Sequence, residues 1–143
     1  MKNLITFFLL TILSLSLLNG CNSANSESTS LKEINETSNV KVYYFHFTHR
    51  CATCNAVEDV TKSALNEFYP TQVKSGLITF QSLNLEEKSG EALAKKLKVE
   101  GQTLLFVKGN SQINLTDDAF LNARSNPDKF KSKIKEKLDP WMK

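Results

Sequence analysis

The chain has 143 residues, room for one domain of ordinary size and too few for two. Its 18 basic and 15 acidic side chains leave a formal charge of +3, a balance that gives no argument for nucleic acid. At 41% apolar and 23% charged, with five glycines and three prolines, the chain is neither disordered throughout nor linker-like, and three cysteines are too few for a disulfide scaffold.

Met1-Lys2-Asn3 is a short basic start, and residues 4–18 form an apolar run softened by Thr6, Thr11, Ser14 and Ser16. About 15 residues is short of the roughly 20 that span a bilayer, but suits the apolar region of a secretory signal. Leu18-Asn19-Gly20-Cys21 follows, and it resembles the lipobox of bacterial lipoproteins. The resemblance implies cleavage before Cys21 and lipid on its thiol. The protein would then be lipid-anchored in the bacterial cell envelope, facing the periplasm or the outer surface. An ordinary signal peptide with a cysteine nearby and a retained membrane anchor are the alternatives. Residues 1–20 are therefore expected to be a signal peptide. Residues 21–39 are expected to be the anchor cysteine and a tether, because the polar stretch after Cys21 has little to bury. Cys51 and Cys54 remain, in a compartment where disulfides persist.

Residues 40–143 alternate strand and helix. Residues 40–47 (VKVYYFHF) are β-branched, aromatic and nearly continuous in apolar character, as in a strand buried on both faces, with Tyr43 and Tyr44 in its core. His46 reads as a strand histidine. After a break at Thr48-His49-Arg50, residues 51–69 place Ala56, Val57, Val60, Ala64, Leu65 and Phe68 at helical spacing, and Pro70 marks the end. Residues 77–85 read as a strand, 89–99 as a shorter helix, and 103–107 and 112–115 as a hairpin about a turn at 108–111. Thr116-Asp117-Asp118 looks like a helix start, and Phe130, Ile134 and Leu138 share one face of a terminal helix before Pro140. Its lysines (Lys129, Lys131, Lys133, Lys135, Lys137) read as a solvated face, and Trp141 as a packing residue. The order β-α-β-α-β-β-α predicts an α/β fold, a mixed central sheet with helices on both faces.

The chemistry lies at Cys51-Ala52-Thr53-Cys54, between a strand and the helix that the first cysteine opens. Cysteines three apart at a helix start can close a small ring. The first faces the free N–H groups and positive end of the helix, which favour thiolate, the form that attacks a disulfide. Arg50 and His49 stand just before it. Cys54, about one turn in, is expected to be more buried and suits a resolving role. A reversible dithiol, a structural disulfide and a metal-binding pair all remain open at this point, though a ring this small removes little chain entropy.

Strand, Cys-x-x-Cys, helix, strand, helix, hairpin and terminal helix is similar to the thioredoxin fold, over roughly residues 40–138. The segment at residues 99–110 (VEGQTLLFVKGN) resembles the family's stretch into its third strand. The resemblance implies a nucleophile at Cys51, a resolving cysteine at Cys54 and a polar residue facing them at Thr103. Three positions depart from the family. Gln102 replaces a cis-proline, so trans peptide bonds are expected there. Phe45 stands where the family buries an acid, and Arg50 where it carries an aromatic. The implied activity is membrane-anchored thiol–disulfide exchange. Its partners would be protein or peptide thiols and a recycling redox protein, and it needs no dissociable cofactor. A metal-handling or partner-binding module on the same fold, holding copper or zinc through Cys51, Cys54 and His49, is the alternative.

Overall fold

The computed structural model describes residues 38–143. The expected signal peptide, Cys21 and the tether as far as residue 37 lie outside the described residues. The elements are strand β1 (Val40–His46), helices α1 (Ala52–Phe68) and α2 (Pro70–Lys74), strand β2 (Ile78–Asn84), helix α3 (Lys88–Leu97), strands β3 (Thr103–Lys108) and β4 (Ser111–Asn114), and helices α4 (Thr116–Asn122) and α5 (Pro127–Leu138). A 3-10 turn at Asp139–Trp141 follows.

The sheet order is β2-β1-β3-β4. Central β1 runs parallel to β2, with Val40 opposite Ile78, and antiparallel to β3, with Phe45 opposite Thr103. β3 and β4 close the hairpin with Lys108 opposite Ser111. Alternation along β1 divides its side chains between two cores. Val40, Val42 and Tyr44, joined by Leu104 and Phe106, meet Val57, Ala64 and Leu65 of α1 and Phe130, Ile134 and Leu138 of α5. Tyr43, Phe45, Leu105 and Val107 meet Ala94 of α3 on the other side. The helices therefore cover both faces, as the nearly continuous apolar run of β1 requires. This is a thioredoxin-like fold. Among the described residues no helix is long and apolar enough to cross a membrane.

Two details differ from expectation. Pro70 follows the end of α1 as expected, but it also opens α2, a short helix not expected there, at a first position where a fixed φ and a missing N–H are no handicap. The single terminal helix is two: α4 ends by Ala123, and α5 restarts at Pro127 with Asn126 accepting from the Lys129 N–H at 3.2 Å. The lysines of α5 form a solvated, paired face, with Lys131 on Glu67 at 2.8 Å and Lys135 on Asp139 at 2.6 Å. Trp141 packs partly buried against the α5 side of the core.

Candidate active site

The loop leaving β1 is tied down before it reaches the cysteines. The His46 carbonyl accepts from the Leu85 N–H at 2.8 Å, and the Thr48 N–H donates to Glu86 Oε2 at 2.8 Å. Asn84 Nδ2 donates to Thr48 Oγ1 at 2.9 Å. The chain then enters α1 with Cys51 as N-cap, in extended backbone, its Sγ accepting from the Cys54 N–H at 3.2 Å. A thiolate sulfur at this place has a helix N–H aimed at it, and Ala52-Thr53-Cys54 adds no acid to oppose the positive helix end.

Cys51 and Cys54 are joined as a disulfide with a Cα–Cα separation of 5.1 Å. Cys51 is exposed, whereas Cys54 is 3% exposed. Only one sulfur is open to a partner, and it is the one at the helix N-terminus. The asymmetry follows from α1 itself: Cys54 lies on the stripe that carries Val57, Thr61 and Leu65 into the core.

The structure brings Gln102 to the pair. Strand pairing of Thr103 with Phe45 sets the start of β3 beside the end of β1, and Gln102 Nε2 lies 3.7 Å from Cys54 Sγ as a donor. Thr103 is buried and donates its hydroxyl to the Gly101 carbonyl at 3.0 Å, so it serves its own loop. The described peptide bonds are all trans, those at Gln102 included.

Arg50 folds back beneath the helix start. Its Nη2 donates to Glu58 Oε2 at 2.7 Å and to the Cys54 carbonyl at 3.2 Å, and the guanidinium lies 5.5 Å from the centre of the Tyr44 ring. Burial raises the Tyr44 phenol above its usual range, and the Arg50 charge works against that.

Glu58 is the site residue the sequence reading missed. It is 9% exposed and four residues beyond Cys54 on the core stripe of α1. It takes hydrogen bonds from Lys62 Nζ, from Ser82 Oγ at 2.8 Å and from Arg50. Burial alone would raise its carboxyl; the Lys62, Ser82 and Arg50 donors outweigh that and hold it at about 2. Phe45, at the family's acid position, is fully buried on the α3 face. The available signal was positional: Cys54, Glu58, Thr61 and Leu65 fall on one stripe, so a charge there must be paired.

His49 is exposed beside Glu86, where its charge adds to the dominant Thr48 hydrogen bonds that hold that carboxyl low. His46 is half-buried, its Nδ1 2.9 Å from the Phe47 carbonyl oxygen. Among the described residues no three His, Cys, Asp or Glu side chains are grouped to hold a metal while the cysteines are joined as a disulfide.

No protein-family model matches the chain, and no curated protein matches it either. Solved structures similar to it include thioredoxin O2 from Arabidopsis thaliana in the oxidized state, at 20% identity, covering 77% of this chain and 87% of that one, with a TM-score of 0.46. The germline-specific thioredoxin Deadhead from Drosophila melanogaster is 17% identical, with 79% and 91% covered and a TM-score of 0.46. Thioredoxin from Trypanosoma brucei brucei is 16% identical, with 78% and 85% covered and a TM-score of 0.43. What defines the class here is the sheet order β2-β1-β3-β4, helices on both faces, and a Cys-x-x-Cys disulfide opening the helix after the central strand.

Proposed function

We propose that this protein is a thiol–disulfide oxidoreductase. The observation that carries the reading is the asymmetry of the pair: an exposed Cys51 at the N-cap of α1, joined to a buried Cys54. In the reducing direction, the Cys51 thiolate attacks a partner disulfide. A Cys51–partner bond forms, and the partner's other sulfur leaves as thiolate. Cys54 then attacks Cys51 Sγ, the mixed disulfide breaks and the partner's second thiolate departs. Two electrons pass to the partner, and the chain ends as the disulfide. In the oxidising direction the steps run backwards from a partner thiolate. Cys51 is the nucleophile and Cys54 the resolving cysteine. Gln102, with its side-chain N–H toward Cys54 Sγ, steadies that sulfur as it gains charge.

Protein or peptide thiols are the substrate class, and a second redox protein recycles the pair. The sequence at Leu18-Asn19-Gly20-Cys21 supports residues 1–20 as a signal peptide, Cys21 as a lipidated anchor, residues 21–39 as the tether and residues 40–143 as the catalytic domain. The protein would then work at the bacterial cell envelope, where oxidised pairs persist.

The test is redox equilibrium of the full-length chain in a glutathione series, read by alkylation of the peptide that carries both cysteines. A reversible transition that disappears in Cys51→Ser supports exchange chemistry. No exchange with glutathione at any ratio would instead mark a structural bridge. The anchor is tested separately by metabolic labelling with palmitate, which Cys21→Ser should abolish.

A further inference from the structure

One buried charge has no role in the exchange steps: the Glu58 carboxylate, four residues beyond Cys54 on the core stripe of α1. It is 9% exposed, and a carboxylate so placed is costly unless its lone pairs are occupied. Three donors occupy them, and they come from separate places: Arg50 from the loop before Cys51, Lys62 from the next turn of α1, and Ser82 from β2. Tyr44, the other titratable group here, stacks under Arg50 and carries no charge at neutral pH. The local balance is two cations, Arg50 and Lys62, against one carboxylate.

We propose that Glu58 is a positioning residue of the redox centre, one that anchors Arg50 at the Cys54 carbonyl and lowers the potential of the Cys51–Cys54 pair by offsetting nearby cationic charge. The proposal rests on the oxidoreductase reading above. Its logic follows from what reduction does to charge. Two glutathione thiols reduce the protein disulfide: the Cys51–Cys54 bond breaks, a glutathione disulfide forms, and two electrons pass to the pair. The dithiol can lose a proton to become thiolate, whereas the disulfide cannot. Cationic field at the helix start therefore favours the reduced form, and a fixed anion opposes it. Arg50 Nη2 is shared between Glu58 Oε2 and the Cys54 carbonyl oxygen, so the same anion also decides where the guanidinium sits.

The experiment measures the glutathione equilibrium and the pH midpoint of Cys51 alkylation for the full-length protein. The variants are Glu58→Gln, Arg50→Gln, the double variant and Lys62→Gln. Glu58→Gln leaves both cations unopposed and should shift the equilibrium toward dithiol by about three- to tenfold. Tenfold corresponds to about 30 mV for a two-electron couple. The alkylation midpoint should fall in parallel. Arg50→Gln should shift both readouts the other way, and in its background Glu58→Gln should have a smaller effect. Lys62→Gln, at a half-exposed position, should also favour the disulfide and carries the test if Glu58→Gln does not fold. Equilibria and alkylation midpoints that stay within about twofold of wild type in Glu58→Gln, or in Lys62→Gln if that is the arm used, overturn the proposal whatever the melting temperatures. A wild-type pair that never equilibrates with glutathione overturns the oxidoreductase reading and this proposal with it, and the first titration tells that case apart.

Discussion

Glu58 should make the protein sensitive to acid in a way that a single substitution removes. An ordinary glutamate titrates near 4.5; burial would push Glu58 higher, but the Lys62, Ser82 and Arg50 hydrogen bonds hold it at about 2. At about 1.4 kcal/mol per pH unit, that gap is worth about 3 kcal/mol of folding stability. The folded value lies below the unfolded one, so the contribution is complete above pH 4.5 and is lost as pH falls through 4.5 toward 2. Urea unfolding of the full-length protein and of Glu58→Gln at pH 7, 5, 3 and 2 measures it. Wild type should be the more stable protein at pH 7 by about 2–3 kcal/mol, because the variant leaves Arg50 partly buried without its anion. The two curves should converge by pH 2. Parallel curves across that range would refute the reasoning, because the acid loss would then belong to other carboxyls.

Three further outcomes follow from named contacts. Cys54→Ser should accumulate a mixed disulfide with a peptide disulfide through Cys51, visible as a mass adduct, whereas Cys51→Ser should give none, because Cys54 is 3% exposed; equal adducts would refute the assigned roles. Gly90→Ala would set a Cβ 1.9 Å from the Asn84 carbonyl oxygen, a clash with backbone that α3 relieves only by lifting from β2. Despite alanine's better helix propensity, a loss of about 1–3 kcal/mol in denaturant is expected, and an unchanged midpoint would contradict the close approach. Lys98 caps α3 in left-handed backbone at φ 58, so Lys98→Gly should stabilise by about 0.5–1 kcal/mol in the same assay, and a loss would show that the lysine offsets its own strain.

The legible parts of the sequence were those where one short segment carries its own reason. The strand VKVYYFHF has apolar side chains at both parities, and both faces of β1 are covered. Cys-x-x-Cys after that strand told which sulfur opens the helix, and the exposure of Cys51 against Cys54 follows from one turn of α1. The short helix α2 was not legible because a proline ends one helix and begins another equally well, and only packing decides whether a second one follows. Glu58 was missed for a different reason. Apolar periodicity counts a glutamate as solvent-facing, and its partners Arg50 and Ser82 come from a loop and from another strand. Gln102 could be singled out only by its position against the family pattern, because it meets Cys54 across 48 residues of sequence.

One helix carries both halves of the chemistry. The face of α1 that buries Cys54 also buries Val57, Glu58, Thr61 and Leu65, so the Cys54 sulfur is held by the hydrophobic core rather than by the loop. The Cα atoms of the pair, 5.1 Å apart, already lie within the range a disulfide spans, and α1 sets that distance through one helical turn. Interconversion of disulfide and dithiol then asks little of the backbone, and the Cys54 N–H remains aimed at Cys51 Sγ.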